Sequence, residues 1–156
     1  MCSGLAGNFM DLHNKGPLVM VFFMLQEFID QVCAELSISP TPLMDEKKTF
    51  FFLIGVEVIE IKELLLGFAL KGKITPCPEK KREELFLKLS LANYLGQQTG
   101  ISRIGLSLDE KDLTLSLEIP YETTYRAFRE HLEEFVNFIL YWRKEVKTFE
   151  TLETLL

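Results

Sequence analysis

Histidine and cysteine are too few and too scattered in this 156-residue chain to suggest a reaction centre. His13 and His131 have no cysteine beside them, and Cys2, Cys33 and Cys77 show no C-x-x-C spacing. That pattern excludes the paired ligand spacings of a structural zinc site. An odd number of distant cysteines also fits a reducing cytosol better than a disulfide-stapled secreted scaffold. No G-x-G-x-x-G, P-loop, H-E-x-x-H or G-x-S-x-G is present. Basic charge is short too: 17 Lys and Arg stand against 23 Asp and Glu, a net charge of -6. Binding to nucleic acid draws on clustered Lys and Arg. Here "DEKK", "EKKREE" and "WRKEV" interleave the two signs, so nucleic acid is not the expected ligand.

Long apolar runs are the last absence. The best candidate, "GPLVMVFFML" at 16–25, is too short to span a bilayer, which takes about 20 apolar residues. No small-x-small cleavage site follows it, and the pattern runs into "QEFIDQVCAEL" with helical spacing. It reads as the start of a helix rather than a signal peptide, and residues 1–19 read as a loose N-terminal extension.

Aromatic and aliphatic periodicity is what the chain does have, with 13 Phe among its residues. Leu25, Phe28, Ile29, Val32, Cys33 and Leu36 recur at three- and four-residue intervals and predict a helix over about 20–36. The prolines of "SISPTP" end it. "KTFFFLIGVEVIEIKELLLGFAL" is rich in Val, Ile and Phe and predicts three short antiparallel strands near 49–54, 56–62 and 64–70. "KGKITPCPEKKREE" reads as a polar connection opening a second helix, with Pro78 in its first turn and Gly96 at its end. Then the period changes to two: Ile104, Leu106 and Leu108, then Leu113, Leu115, Leu117 and Ile119, flank a "DEKD" turn and predict a hairpin. Pro120 closes it. A third amphipathic helix carries Tyr125, Phe128, Leu132, Phe135, Val136, Ile139, Leu140 and Val146, and the 148–156 tail either prolongs it or frays. The expected fold class is α+β in the order α-β-β-β-α-β-β-α, with helices on a twisted antiparallel sheet. Residues 20–147 form the domain.

A search for catalytic chemistry ends without candidates. "GQQTG" at 96–100 ends a helix instead of starting one, so its N–H groups are not gathered at a positive dipole end. His131 sits among Arg129, Glu130 and Glu133 as a solvated helical residue, with no nucleophile nearby. The pairs Glu83–Glu84 and Glu133–Glu134 point in different directions on a helix. Cys33 falls on an apolar stripe as a small hydrophobe. No enzyme activity, metal or cofactor is expected.

Apolar surplus is the positive signal. In "REELFLKLSLANYLGQQTG", Leu85, Leu89, Ala92 and Tyr94 would serve one side, while Phe86, Leu87, Leu91 and Leu95 spread apolar surface around the rest. A helix that packs once needs only about a third of its circumference apolar. The second partner is either another copy of the chain or another element of the same subunit. Phe50, Phe51 and Phe52 are consecutive, so a strand there puts aromatics on both sheet faces.

Taken in order, these segments resemble the class I type III secretion chaperones, the Tir-chaperone-like family of small acidic proteins. The resemblance covers about residues 24–147: the "LQEFIDQVCAELSI" helix, "GKITPCPEKKREELFLKLSLANYLGQQTG" with its Ala-Asn-x-Leu segment, the hairpin "IGLSLDEKDLTLSLEIPYE", and "FREHLEEFVNFILYWRKEV" with Phe135 and Trp142. It implies a bacterial cytoplasmic protein without enzymatic activity, nucleotide or membrane insertion. That protein forms a homodimer, or a heterodimer with a sister chaperone, and holds an N-terminal segment of a secreted effector partly unfolded. The implied dimer interface surrounds the second helix and hairpin: Phe86, Leu87, Leu91, Tyr94, Leu95 and Leu106. The implied effector surface, by groove filling and strand addition, comprises Phe28, Val32, Phe50, Phe52 and Val58, each of which plain core packing would explain equally well. The alternative of the same fold is a regulatory adaptor that binds a transcription or secretion-gate component.

Overall fold

Alternating side chains build one antiparallel sheet whose apolar face carries the helices. The computed structural model describes residues 17–37, 43–44 and 49–154. In chain order these form α1 (Pro17–Glu35), β1 (Leu43–Met44), β2 (Thr49–Ile54), β3 (Glu57–Leu64), β4 (Gly67–Pro76), α2 (Arg82–Leu95), β5 (Arg103–Leu106), β6 (Asp112–Pro120) and α3 (Tyr125–Thr154). The sheet order is β1-β2-β3-β4-β6-β5, antiparallel throughout, so β1 and β5 are its edges. Three helices on an antiparallel sheet is the α+β class expected from the sequence.

Local chemistry sets the joints. Ile54 pairs with Glu57 across a two-residue turn whose first position is Gly55 at φ +64, a conformation that strains any residue with a Cβ. Gly67 opens β4 where the Ile119 carbonyl of β6 comes so close that a Cβ would collide with it. Inward residues Phe50, Ile59, Ile61, Phe68, Leu70, Leu115 and Leu117 meet Leu25 and Ile29 of α1, Leu85 and Leu89 of α2, and Phe135 and Ile139 of α3 in one buried cluster. Phe128 links the layers, stacking on Phe28 at 5.3 Å and meeting Phe68 edge-on at 5.6 Å. The opposite face is largely polar, with Lys62, Lys73, Ser116 and Glu118 exposed.

Several boundaries differ from expectation. The third strand lies at Gly67–Pro76 rather than 64–70, because "KGKITP" continues the alternation with Leu70 and Ile74 inward and Lys73 outward. The short β1 was not expected from "PTPLMD". The second helix starts at Arg82 instead of Pro78, since Lys81 takes the left-handed conformation at φ 49 and breaks the helical path. Leu108 belongs to the turn and is fully exposed. The expected 148–156 tail continues α3 through Thr154. Of the expected extension, residues 1–16 lie outside the described residues, and α1 begins at Pro17.

One ionic device fastens α3 to the sheet. The register of β4 on β6 slips between Lys73 and Thr75, and a bulge of this kind leaves backbone groups without ladder partners. Arg143 supplies them: its Nε donates to the Ile74 carbonyl at 2.6 Å and its Nη2 to the Lys73 carbonyl at 3.2 Å. The same guanidinium donates to both carboxylate oxygens of buried Glu57, at 2.6 and 2.8 Å.

Candidate functional site

Helix α2 has two apolar stripes and its own subunit covers one of them. Leu85, Leu89 and Ala92 face the core. Leu87, Leu91, Tyr94 and Leu95 follow the same helical spacing on the far side and are exposed, Leu87 to 75% and Tyr94 to 86%. Tyr94 thus belongs with the outward stripe, a correction to its expected place beside Leu85. At about 100° per residue it stands roughly 180° from Leu85 but only about 20° from Leu87.

The flank of α2 toward β5 holds a cleft of about 310 Å³, lined among others by Phe86, Ser90, Asn93, Ile104 and Leu106. Asn93 crosses the seam: its Nδ2 donates to the Ile104 carbonyl at 2.8 Å, and the Ile104 N–H donates to its Oδ1 at 2.8 Å. The helix end is fixed by the "GQQTG" loop. Gly96, at φ 67, donates its N–H to the Ala92 carbonyl at 2.9 Å, and the buried Thr99 hydroxyl donates to the same oxygen at 3.3 Å. The Trp142 indole N–H of α3 donates to the Gln98 carbonyl at 2.7 Å. The loop therefore anchors the end of the helix. Of the expected interface residues, Leu87, Leu91, Tyr94 and Leu95 share one open face, and Phe86 and Leu106 line the adjoining cleft.

A second apolar surface lies toward the other edge of the sheet. Val32 and Leu36 at the end of α1, Ile54 at the end of β2, and Leu132 and Val136 of α3 line a groove of about 290 Å³. Glu35, Arg129, Glu133 and Asn137 form its rim, with Glu35 and Arg129 paired at 3.3 Å. Among the described residues, β1 pairs only with Phe50 and Phe51, leaving residues 52–54 of β2 without a strand on that side. On the opposite face of the sheet, Leu53 and Val58 are cross-strand partners, both exposed, beside exposed Val56.

This arrangement redistributes the residues expected to contact an effector. Phe28 and Phe50 are only 7% and 1% exposed and pack in the core, and Val32, 2% exposed, packs there too while lining the groove. Val58 is exposed to 58%, and the side chain of Phe52 lies outside the described residues. Leu36, Leu53, Ile54, Leu132 and Val136 escaped sequence reasoning. Leu53 was detectable in principle, since alternation puts it opposite Phe52. The groove was not, because three separate elements form it.

Among the described residues, no three or more His, Cys, Asp or Glu gather as a metal site, and no helix is long and apolar enough to cross a membrane.

Comparison with known proteins gives the class first. A chain of the HopA1–SchA chaperone–effector complex superposes with a TM-score of 0.64 at 15% identity, over 82% of this chain and 99% of that one. A chain of the ExsC–ExsE complex superposes at 0.67 with 12% identity, over 80% and 94%. The ExoU–SpcU heterodimer of the Pseudomonas aeruginosa type III secretion system gives 0.56 with 13% identity, over 75% and 93%. At these identities the match defines the fold, which is that of chains found in secretion chaperone complexes. A Chlamydia pneumoniae protein is 26% identical over 130 residues, 79% of this chain and 96% of that protein. The Tir chaperone protein (CesT) family model matches residues 27–143, and the chain belongs to that family.

Proposed function

We propose that this protein is a type III secretion chaperone of the bacterial cytoplasm. It dimerises through the outward stripe of α2 and holds an N-terminal segment of a secreted effector on the surface formed by α1, β2 and α3. It works without nucleotide and catalyses no reaction.

The observation that carries this reading is the separation of the two apolar surfaces. The α2–β5 face lies at one edge of the sheet and the α1–β2–α3 groove toward the other. A dimer formed through the first leaves two copies of the second free for cargo. Soluble monomers rarely leave contiguous apolar patches unpartnered, and burying a leucine fully is worth about 1.5–3 kcal/mol. Leu36, Ile54, Leu132 and Val136 supply pockets for side chains of an extended segment. Solved complexes of this fold that pair a chaperone with an effector are in keeping with that use.

The test is recovery of the tagged protein from its native cytosol at endogenous level, with partners identified by mass spectrometry and their stoichiometry by light scattering. The expected result is a chaperone dimer carrying one dominant secreted protein, lost when the N-terminal region of that protein is deleted. A stoichiometric polymerase subunit or secretion-gate component in its place would make the protein a regulatory adaptor.

A further inference from the structure

The structure assigns to Asn93 a role beyond fastening a helix: it closes the β5 edge to strand addition, so that a second copy of this chain joins at the α2–β5 seam through side chains alone. The inference rests on the dimer reading above and adds the residue that decides how the two copies meet.

Strand β5 is the last in the sheet. In an antiparallel ladder, the backbone groups of successive residues point alternately toward the neighbouring strand and away from it. Ile104 is one of the outward residues, because both its N–H and its carbonyl engage Asn93, each at 2.8 Å. A carboxamide offers one donor and one acceptor side by side, as a peptide group does. Asn93 therefore stands in for one residue of a neighbouring strand. By the same alternation the next outward position is Leu106, at the wall of the cleft.

Without Asn93 the edge would present two successive outward positions, Ile104 and Leu106, between the apolar walls of Phe86 and Leu106. A row of unpaired edge groups is a template for a strand from another chain. With Asn93 in place, Leu106 alone is left, too little for a ladder. The exposed stripe of Leu87, Leu91, Tyr94 and Leu95 still offers side-chain contacts. Asparagine is also a poor helix former, and Asn93 sits within the last turn of α2. Its presence there costs helix propensity, which the two bonds to Ile104 offset.

The experiment compares the full chain with Asn93→Ala by amide hydrogen exchange at Ile104 and by light scattering across a concentration series. In the wild type, the Ile104 amide is protected and nothing larger than a dimer forms. In dilute Asn93→Ala the Ile104 amide exchanges about tenfold faster, as expected for loss of one such bond. As the concentration rises larger species appear, and in them the Ile104 and Leu106 amides are protected again, as a strand laid along the β5 edge requires. Asn93→Asp keeps an acceptor for the Ile104 N–H but opposes a carboxylate to its carbonyl. Should Asn93→Ala fail to fold, this variant is read by its assembly alone.

Faster exchange with unchanged assembly would overturn the proposal and leave Asn93 as a fastener. Larger species in which the Ile104 and Leu106 amides stay unprotected would overturn it as well. A wild-type monomer would refute the dimer reading by itself, while larger species in Asn93→Ala with both amides protected would still establish edge closure.

Discussion

Arg143 shows at the scale of one residue how little a charge in a sequence says about its use. In "WRKEV" it is one of several interleaved ions, yet it bonds both oxygens of Glu57 and two carbonyls at the β4 bulge. A planar guanidinium makes that fork and an ammonium cannot. Arg143→Lys should therefore lower stability by about 2 kcal/mol, a figure reduced from that of a fully buried pair because Arg143 is partly exposed. A shift of the urea midpoint at constant slope measures it, and an unchanged midpoint would show that water serves the bulge as well. The cysteines make a second case. Cys33 is buried on α1, and that burial, helped by Asp30, pushes its thiol pKa up. A raised pKa means less thiolate at neutral pH and slower alkylation. Half-buried Cys77 should thus react with iodoacetamide well before Cys33 in the folded protein, as peptide mapping over time would record. The sequence reading of Cys33 as a small hydrophobe agrees with this burial. Phe28, Val32 and Phe50 are buried as well, and of the three Val32 also lines the groove. One-dimensional periodicity finds apolar faces but cannot say whether the partner is the same chain, so core and docking residues look alike.

At the scale of elements, legibility followed redundancy. Helix α2 holds more apolar residues than one packed face can use, and the surplus is visible without coordinates. The second half of β4 was not visible, because Lys71, Gly72 and Lys73 give "KGK" the composition of a linker while only Leu70 and Ile74 mark the inward face. The start of α2 was misplaced for a related reason: Pro78 and Glu79 carry helix-start chemistry, but the left-handed Lys81 decides where the helix begins. The double stripe makes a prediction that separates docking from folding. Leu91→Glu places a charge on the outward stripe and leaves the core untouched. It should weaken self-association by at least about tenfold, since stranding a charge in an interface costs about 2–5 kcal/mol, and leave the melting temperature of the protomer unchanged. Leu89→Glu, two residues away but buried, should fail to fold. Sedimentation equilibrium and circular dichroism distinguish the two. A Leu91→Glu protein that associates like the wild type would remove α2 from the interface.

At the scale of the molecule, the sheet has two edges and the protein treats them differently. β5 is short, closed by Asn93, and flanked by an apolar helix face suited to a second copy. Toward the β2 side, the groove between α1 and α3 begins where β2 ends. Such a division lets one molecule assemble and bind cargo without competition between the two contacts. It follows that the surfaces should be separable by single substitutions. Leu36 is exposed at the end of α1 and lines the groove, so Leu36→Asp costs the folded protomer little. Losing its apolar contact and stranding a carboxylate there should weaken capture of the effector segment by about tenfold, given 1–3 kcal/mol for one buried aliphatic contact. The dimer should persist. Leu91→Glu should give the reverse: a monomer that still binds the segment, one per chain, with the avidity of two linked sites lost. Titrating the isolated segment against each variant by calorimetry, with mass followed by light scattering, reads both at once. If Leu36→Asp dissolved the dimer, or Leu91→Glu abolished binding of a single segment, the surfaces would be one coupled site, and cargo would have to bridge the two protomers.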